Sequence, residues 1–380
     1  MLSLVVAILL KGTVDTKQFR VIMPKVTFNN KDKTFFNTLK AGVDQYFASN
    51  KIRKTGNWSL YSKTAILAPT AIIVYASLLF FQIPAVLAIF LCCLLGFTLA
   101  SIGFNVMHDA CHGSYSSRGW VNDTMALSSN LMGGNTFIWK FKHNIVHHTY
   151  TNVDGIDDDI ALSPLMRQCE TQKWFPPHRF QHIYGFILYA FTSIAWFFVM
   201  DFTKYFNQKV HTTPMQKMDF KDHVIFWISK LLYVGFFVVL PIIKLGFMPW
   251  MIGFIALNLT LGLTLAVVFQ LAHVVEHTEF VHVDMDDVKR IEEEWAIHQI
   301  KTTANFAPRN KFVSWFVGGL NFQVEHHLFP RISHIHYPAI NNIVKQTCQQ
   351  FGINYNEFPT MQQAIVSHYR VIKQLGKKPV

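Results

Sequence analysis

Four short histidine clusters stand out along the chain: HDACH (His108, His112), HNIVHH (His143, His147, His148), HVVEH (His273, His277) and QVEHH (His326, His327). Residues four apart share one face of an α-helix, so His108 with His112, His143 with His147, and His273 with His277 can each offer two imidazoles to one site. A neighbouring position is turned by about 100°, so His148 can serve a second metal while His147 serves the first. Gln323 precedes His326 and His327 by three and four residues and faces both. Its amide oxygen can ligate weakly or hold a metal-bound water. The clusters supply nine histidines, more than one tetrahedral zinc can use. Two metal ions fit the count. Imidazole suits Zn, Cu, Fe and Ni alike, so spacing leaves the element open.

The elements that must hold these clusters are apolar blocks. The chain is 51% hydrophobic with 35 Phe and only 15% charged residues. A bilayer-spanning helix needs about 20 consecutive apolar residues. Thr64–Gln82 and Ile83–Val106 meet that test, as do Val224–Ile243 and Pro249–Ala272. Short turns split each couple, which predicts four transmembrane helices in two hairpins. A fifth stretch, Ile183–Met200, reads as an interfacial or re-entrant helix. Residues 1–63 carry 11 Lys and Arg, 107–222 carry 10 and 273–380 carry 11 of the total of 34. Basic residues concentrate in cytoplasmic loops, so both termini, both long loops and all four histidine clusters are expected on the cytoplasmic side. Only Lys230 and Lys244 fall elsewhere. The expected fold is an all-α integral membrane protein with a cytoplasmic helical cap holding a His-rich site.

This positive-inside bias accounts for most of the net charge of +11, and nucleic acid is not an expected partner. A basic cytoplasmic face favours anionic membrane lipid headgroups, acyl-carrier phosphates or an acidic electron carrier. The five cysteines (Cys92, Cys93, Cys111, Cys169, Cys348) form no CxxC pair, so no zinc ribbon, cysteine-ligated cluster or disulfide framework is indicated. Carboxylate-bridged bundles use paired ExxH motifs, whereas Glu279–His282 stands alone. Residues 1–56 form an N-terminal segment whose apolar positions from Phe35 to Phe47 recur at helical spacing, predicting an amphipathic helix on the membrane. The apolar start, MLSLVVAILLKG, suggests an upstream start codon with Met23 as the true beginning. Residues 57–345 form the membrane domain, and 346–380 a C-terminal cytoplasmic helical tail.

HxxxH, HxxxHH and QxxHH, in this order around the apolar helices, resemble the boxes of the membrane fatty acid desaturases. The resemblance runs from about residue 60 to 345. The strings WKFKHNIVHHTYTN, FQLAHVVEHTEF, EEEWAIHQIKTTANFA and GGLNFQVEHHLFPRISHIHYP are similar to the front-end branch, with its Δ6 acyl-lipid and linoleoyl-CoA desaturases. The resemblance implies a di-iron centre of two non-haem iron ions, with O2 as co-substrate and an acyl-CoA or acyl-lipid substrate held in a bent apolar tunnel. It carries the metal-ligand role to His108, His112, His143, His147, His148, His326 and His327, and to His273 at the end of the last membrane helix. His277 has no firm counterpart, and Gln323 occupies a slot that is histidine in other desaturases. Electrons are expected from an external ferredoxin or cytochrome b5, since the chain has no HPGG haem motif, cysteine cluster or GxGxxG fingerprint.

Around the boxes, Asp109 and one aspartate of the DGIDDD run (Asp154, Asp157, Asp158, Asp159), Asp157 and Asp158 foremost, are candidates to accept the free N–H of a ligating imidazole, the alternative for the run being a solvated, helix-capping turn. His178, His182, His211, His223, His282, His298 and His368 read as polar anchors, and His334 and His336 as neighbours of the last box. Rival readings are a fatty-acid or sterol hydroxylase, or a carotenoid oxygenase, of the same three-box architecture. A membrane cytochrome or metal transporter fits less well, because its histidines would pair within facing helices near both membrane sides.

Overall fold

The computed structural model describes residues 26–282 and 290–379; the question of a start at Met23 lies outside them. Among the described residues four helices are long and apolar enough to cross a membrane: Trp58–Phe80, Ala85–Cys111, Phe220–Leu245 and Phe247–His273. Each extends beyond the apolar run that announces it. The first begins six residues before Thr64, where the Asn57 side chain caps it by accepting from the Ser59 N–H at 2.8 Å, so a polar first turn joins an apolar body. Between the third and fourth spans Gly246 alone, at φ +85°, makes the break. That conformation is open to glycine at no steric cost.

The second and fourth spans pack closely. A Cβ on Gly96 would lie 2.6 Å from the Leu257 carbonyl oxygen, so the small residue sets their approach. The fifth apolar stretch is broken. Pro176–Ala190 and Thr192–Asn207 meet at a 58° bend, and Gly262 of the fourth span lets the Ala190 carbonyl come near.

The N-terminal amphipathic helix, Thr34–Ser49, buries Phe35, Leu39, Val43 and Phe47. Its apolar face is covered by protein (Ala296, Ile300, Tyr337, Ile340 and Val344) rather than left for lipid, because the helix Tyr337–Gln350 supplies a matching stripe. Parallel two-residue strands tie distant loops together: Thr27–Phe28 with Arg290–Ile291, Val153–Asp154 with Val281–His282, and Asn305–Phe306 with Glu357–Phe358. The last pairing draws the chain after Gln350 back to the body. The final helix, Met361–Leu375, packs on the helix Gln181–Ala190. Such clips are too short to show a period-two pattern in the sequence.

Candidate metal centre

The second span does not end where its apolar run does. It passes through a π-helical turn, Gly103–Met107, and continues as His108–Cys111. π-turns bond i→i+5 and occur frequently at functional sites. Here Asn105 Nδ2 donates to the Phe316 carbonyl at 3.1 Å and Ser101 Oγ donates to it at 2.9 Å. The loop they hold carries Gly318, whose φ is +58° and whose added Cβ would meet the Phe104 oxygen at 2.4 Å. A glycine at this point lets the loop lie against the span and present the short helix Gln323–Leu328 to His108. The second cluster sits in another π-helical segment, Phe141–His147, with His148 following it. His273 is the last residue of the fourth span.

Eight histidines from these four places converge, and all are buried. One group comprises His108, His112, His143 and His326, and a second His147, His273 and His327; His148 joins His326 and His327 between them. Within each group one ligand atom per residue lies within 4.8 Å of the others. The i,i+4 pair His143 and His147 falls in different histidine groups, yet the two also form a group of their own with Asp159, their rings 5.3 Å apart. The α-helical face rule does not govern a π-helical turn, and His143 turns toward His108, their Nε2 atoms 3.2 Å apart. His148 Nε2 is also 3.2 Å from His143 Nε2.

The ring nitrogens are used in a consistent way. His147 Nδ1 faces both oxygens of Asp157 at 3.1 Å, and Asp159 at 3.3 Å. His273 Nδ1 faces the Thr302 carbonyl at 3.3 Å, His327 Nδ1 the Gln299 oxygen at 2.8 Å, and His326 Nδ1 the Tyr337 hydroxyl at 3.0 Å. In all four the opposite atom, Nε2, is buried with no hydrogen-bond partner, as is Nε2 of His112. Leaving such a group unpaired costs about 1–3 kcal/mol each. An inward set of unpaired imidazole nitrogens, four of the five backed by an oxygen on the other side of the ring, is the donor arrangement of a metal site.

Electrostatics agree. Burial, then the neighbouring rings, hold the pKa values of His112, His143, His148, His326 and His327 far below the ordinary imidazole range. They are therefore in the neutral form that binds metal. For His147 burial acts the same way, but the carboxylates of Asp157 and Asp159 outweigh it and raise the pKa.

The three candidate aspartates separate. Asp157 backs His147. Asp158 instead pairs with Lys204 at 2.7 Å. Asp109 accepts from Ser333 Oγ at 2.6 Å and lies 3.1 Å from His334 Nδ1, so it braces the loop after QVEHH rather than a histidine of either group. The structure does not bring His277 to the site. The helix ends at His273, the next residues leave helical geometry, and His277 has φ +72° and an exposed side chain. The i,i+4 register on which its candidacy rested is lost there. Gln323 is buried, and its Nε2 has no partner.

Asp159, which lies 3.3 Å from His147 Nδ1, belongs to the DGIDDD run already named; sequence reasoning did not single out Gln299, Tyr337, Thr302 or Trp139, whose ring stacks on His143 with centroids 4.4 Å apart. All four lie in strings that already carry the family resemblance, WKFKHNIVHHTYTN, EEEWAIHQIKTTANFA and GGLNFQVEHHLFPRISHIHYP, which was the available signal. Of the isolated histidines, His298 and His368 are deeply buried and bonded to backbone, His298 Nε2 to the Thr151 oxygen at 2.8 Å and His368 Nδ1 to the Val274 oxygen at 2.6 Å.

The fatty acid desaturase family matches residues 84–359. An sn-1 linoleoyl-lipid 6-desaturase of Synechocystis sp. is 38% identical over 360 residues, covering 93% of this chain and 98% of that one. An enzyme with the same name from Arthrospira platensis is 36% identical over 357 residues, covering 93% and 96%. An acyl-lipid (8-3)-desaturase of Physcomitrium patens is 34% identical over 352 residues, covering 91% and 72%.

Proposed function

The chain belongs to the fatty acid desaturase family, and on that premise we propose that it places a cis double bond between an existing one and the carboxyl end of an acyl chain, at Δ6. The substrate in this reading is a linoleoyl-type chain carried on a lipid or on CoA. Per turnover, one CH2–CH2 unit, O2, two electrons and two protons give a cis CH=CH and two waters. The inward-facing Nε2 atoms of the two histidine groups carry the proposal, together with relatives of the same length that are named linoleoyl-lipid 6-desaturases.

His108, His112, His143 and His326 are the residues that would hold one iron, and His147, His273 and His327 the other, with His148 between them. When bound, the irons supply the O2-activating redox chemistry that an unactivated methylene requires, since no side-chain base can remove its hydrogen. The chain's own contribution is placement. Oxygen atoms on Asp157, Gln299, Tyr337 and Thr302 fix the orientation of four imidazoles. Trp139 and Phe269, the latter 6.0 Å from the His143 ring, line the group with apolar surface and exclude water. Electrons come from a separate ferredoxin or cytochrome b5 that docks on the basic face. In this reading the four spans form two hairpins, with the histidines in a helical cap on the cytoplasmic side.

Expression in a host fed linoleate, followed by gas chromatography of its fatty acids, tests the proposal. A new cis bond at Δ6 is expected, and it disappears in His326→Ala. A hydroxylated product would overturn the reading.

A further inference from the structure

At the ends of the spans remote from the histidines, a cavity of about 860 Å³ opens between the first two spans and the last two, within the roughly 300–1,000 Å³ typical of small-molecule sites. Its deepest residue on the second span, Leu95, precedes His108 by thirteen positions, roughly 20 Å at 1.5 Å per residue. The cavity is therefore separate from the metal centre.

Two features show what it is built to hold. First, apart from Gln82 and Lys244 its wall is apolar or has its polar atoms turned away. The third span has a π-helical turn at Gly235–Val239, and two of its carbonyls accept from side chains of the cavity wall. Tyr75 OH donates to Phe236, and Trp250 Nε1 donates to Phe237 at 2.9 Å. The polar atoms of both aromatics are thereby turned into the backbone, and Ala85, Ala88 and Gly253 leave the space open. Second, Lys244 is the single charged residue lining the cavity. It makes no ion pair among the described residues, and its ammonium rests 5.6 Å from the Phe80 ring centroid. An apolar slot inside a membrane protein with one free cation at its rim is complementary to an acyl chain under a negative headgroup.

We propose that this cavity binds one anionic phospholipid, with an acyl chain between the two pairs of spans and the phosphate at Lys244. The site rests on the membrane-spanning arrangement alone, so it stands or falls separately from desaturation.

The test uses the full-length protein, reconstituted with phosphatidylglycerol or phosphatidylcholine and examined by native mass spectrometry after mild detergent washing. Wild type should retain one phosphatidylglycerol, preferred over phosphatidylcholine by about fivefold, the effect of one basic residue at a lipid surface. Ala88→Trp fills the slot and should lose the retained lipid. Lys244→Gln should retain lipid but bring the two headgroups to parity, and it carries the test if Ala88→Trp does not purify as a monodisperse protein. Equal retention in Ala88→Trp, or an unchanged preference in Lys244→Gln, overturns the site. So does retention in wild type that ignores the headgroup, which is what occupation by the tail of a substrate chain would give.

Discussion

Both carboxylate oxygens of Asp157 lie 3.1 Å from Nδ1 of His147, while Nε2 of the same ring points into the histidine group with no partner. The carboxylate fixes the tautomer and makes the inward nitrogen a better donor. It also accepts from the backbone N–H groups of Asn152 and Asp159, at 2.9 and 3.1 Å, so alanine would disturb the loop as well as the ring. Asp157→Asn keeps the shape and one acceptor oxygen and removes the charge. Loss of such a partner typically lowers metal affinity or activity about 10–100-fold. Iron per chain and turnover should both fall in this variant, and if neither changes the role assigned to Asp157 is wrong.

His273 and His277 lie in one motif but in different environments. His273 is buried beside His147 and His327, with ring centroids 4.7 and 4.8 Å away. His277 is exposed, and it is its backbone oxygen, not its ring, that accepts from Asn356 at 2.8 Å. His273→Ala should abolish turnover and lower iron content. His277→Ala should stay within about twofold of wild type, as surface substitutions do. Metal analysis beside product analysis checks both, and equal losses would place His277 in the centre despite its position.

These two residues also show how far the sequence could be read. The four spans follow from apolar length, because a bilayer imposes length, and the converging histidines from residue type, because metal ligands impose it. The division of ligands between the groups was not legible. His143 and His147 sit in a π-helical turn, His277 lies past a helix end, and local spacing rules assume an unbroken α-helix. The oxygens behind the imidazoles were hidden for another reason. Gln299 lies 28 positions from His327 and Tyr337 eleven from His326, so their contacts are made by tertiary packing. Asp157, close in sequence to His147, was the partner that could be anticipated.

Acid should weaken the fold through histidines outside the centre. His368 is buried and bonded at both nitrogens, to the Val274 oxygen at 2.6 Å and the Tyr189 hydroxyl at 3.1 Å. Burial pushes its pKa down from 6.5 to about 4. The unfolded chain takes up this proton below about pH 6.5 and the folded chain does not until about pH 4. Its contribution is thus complete above pH 6.5 and declines by up to about 3 kcal/mol as the pH falls to 4. Thermal unfolding in detergent at pH 7 and 4.5 should show a smaller drop in Tm for His368→Gln than for wild type. An identical drop would mean that this imidazole titrates normally in the folded protein.

Gln323 is buried to 1% exposure on the same short helix as His326 and His327, and its amide nitrogen has no partner. An unpaired buried amide costs about 1–3 kcal/mol, so a side chain present only for packing would be better replaced by leucine or methionine. In the proposed centre the amide oxygen would either ligate an iron or hold water bound to it. The two roles part on substitution. Gln323→Ala should lower turnover in both cases; iron content falls with it if the oxygen is a ligand and stays constant if it holds water. Gln323→Met, which keeps the volume, should behave like the alanine variant. Full turnover in either variant would leave the amide without a role in the chemistry and return it to packing.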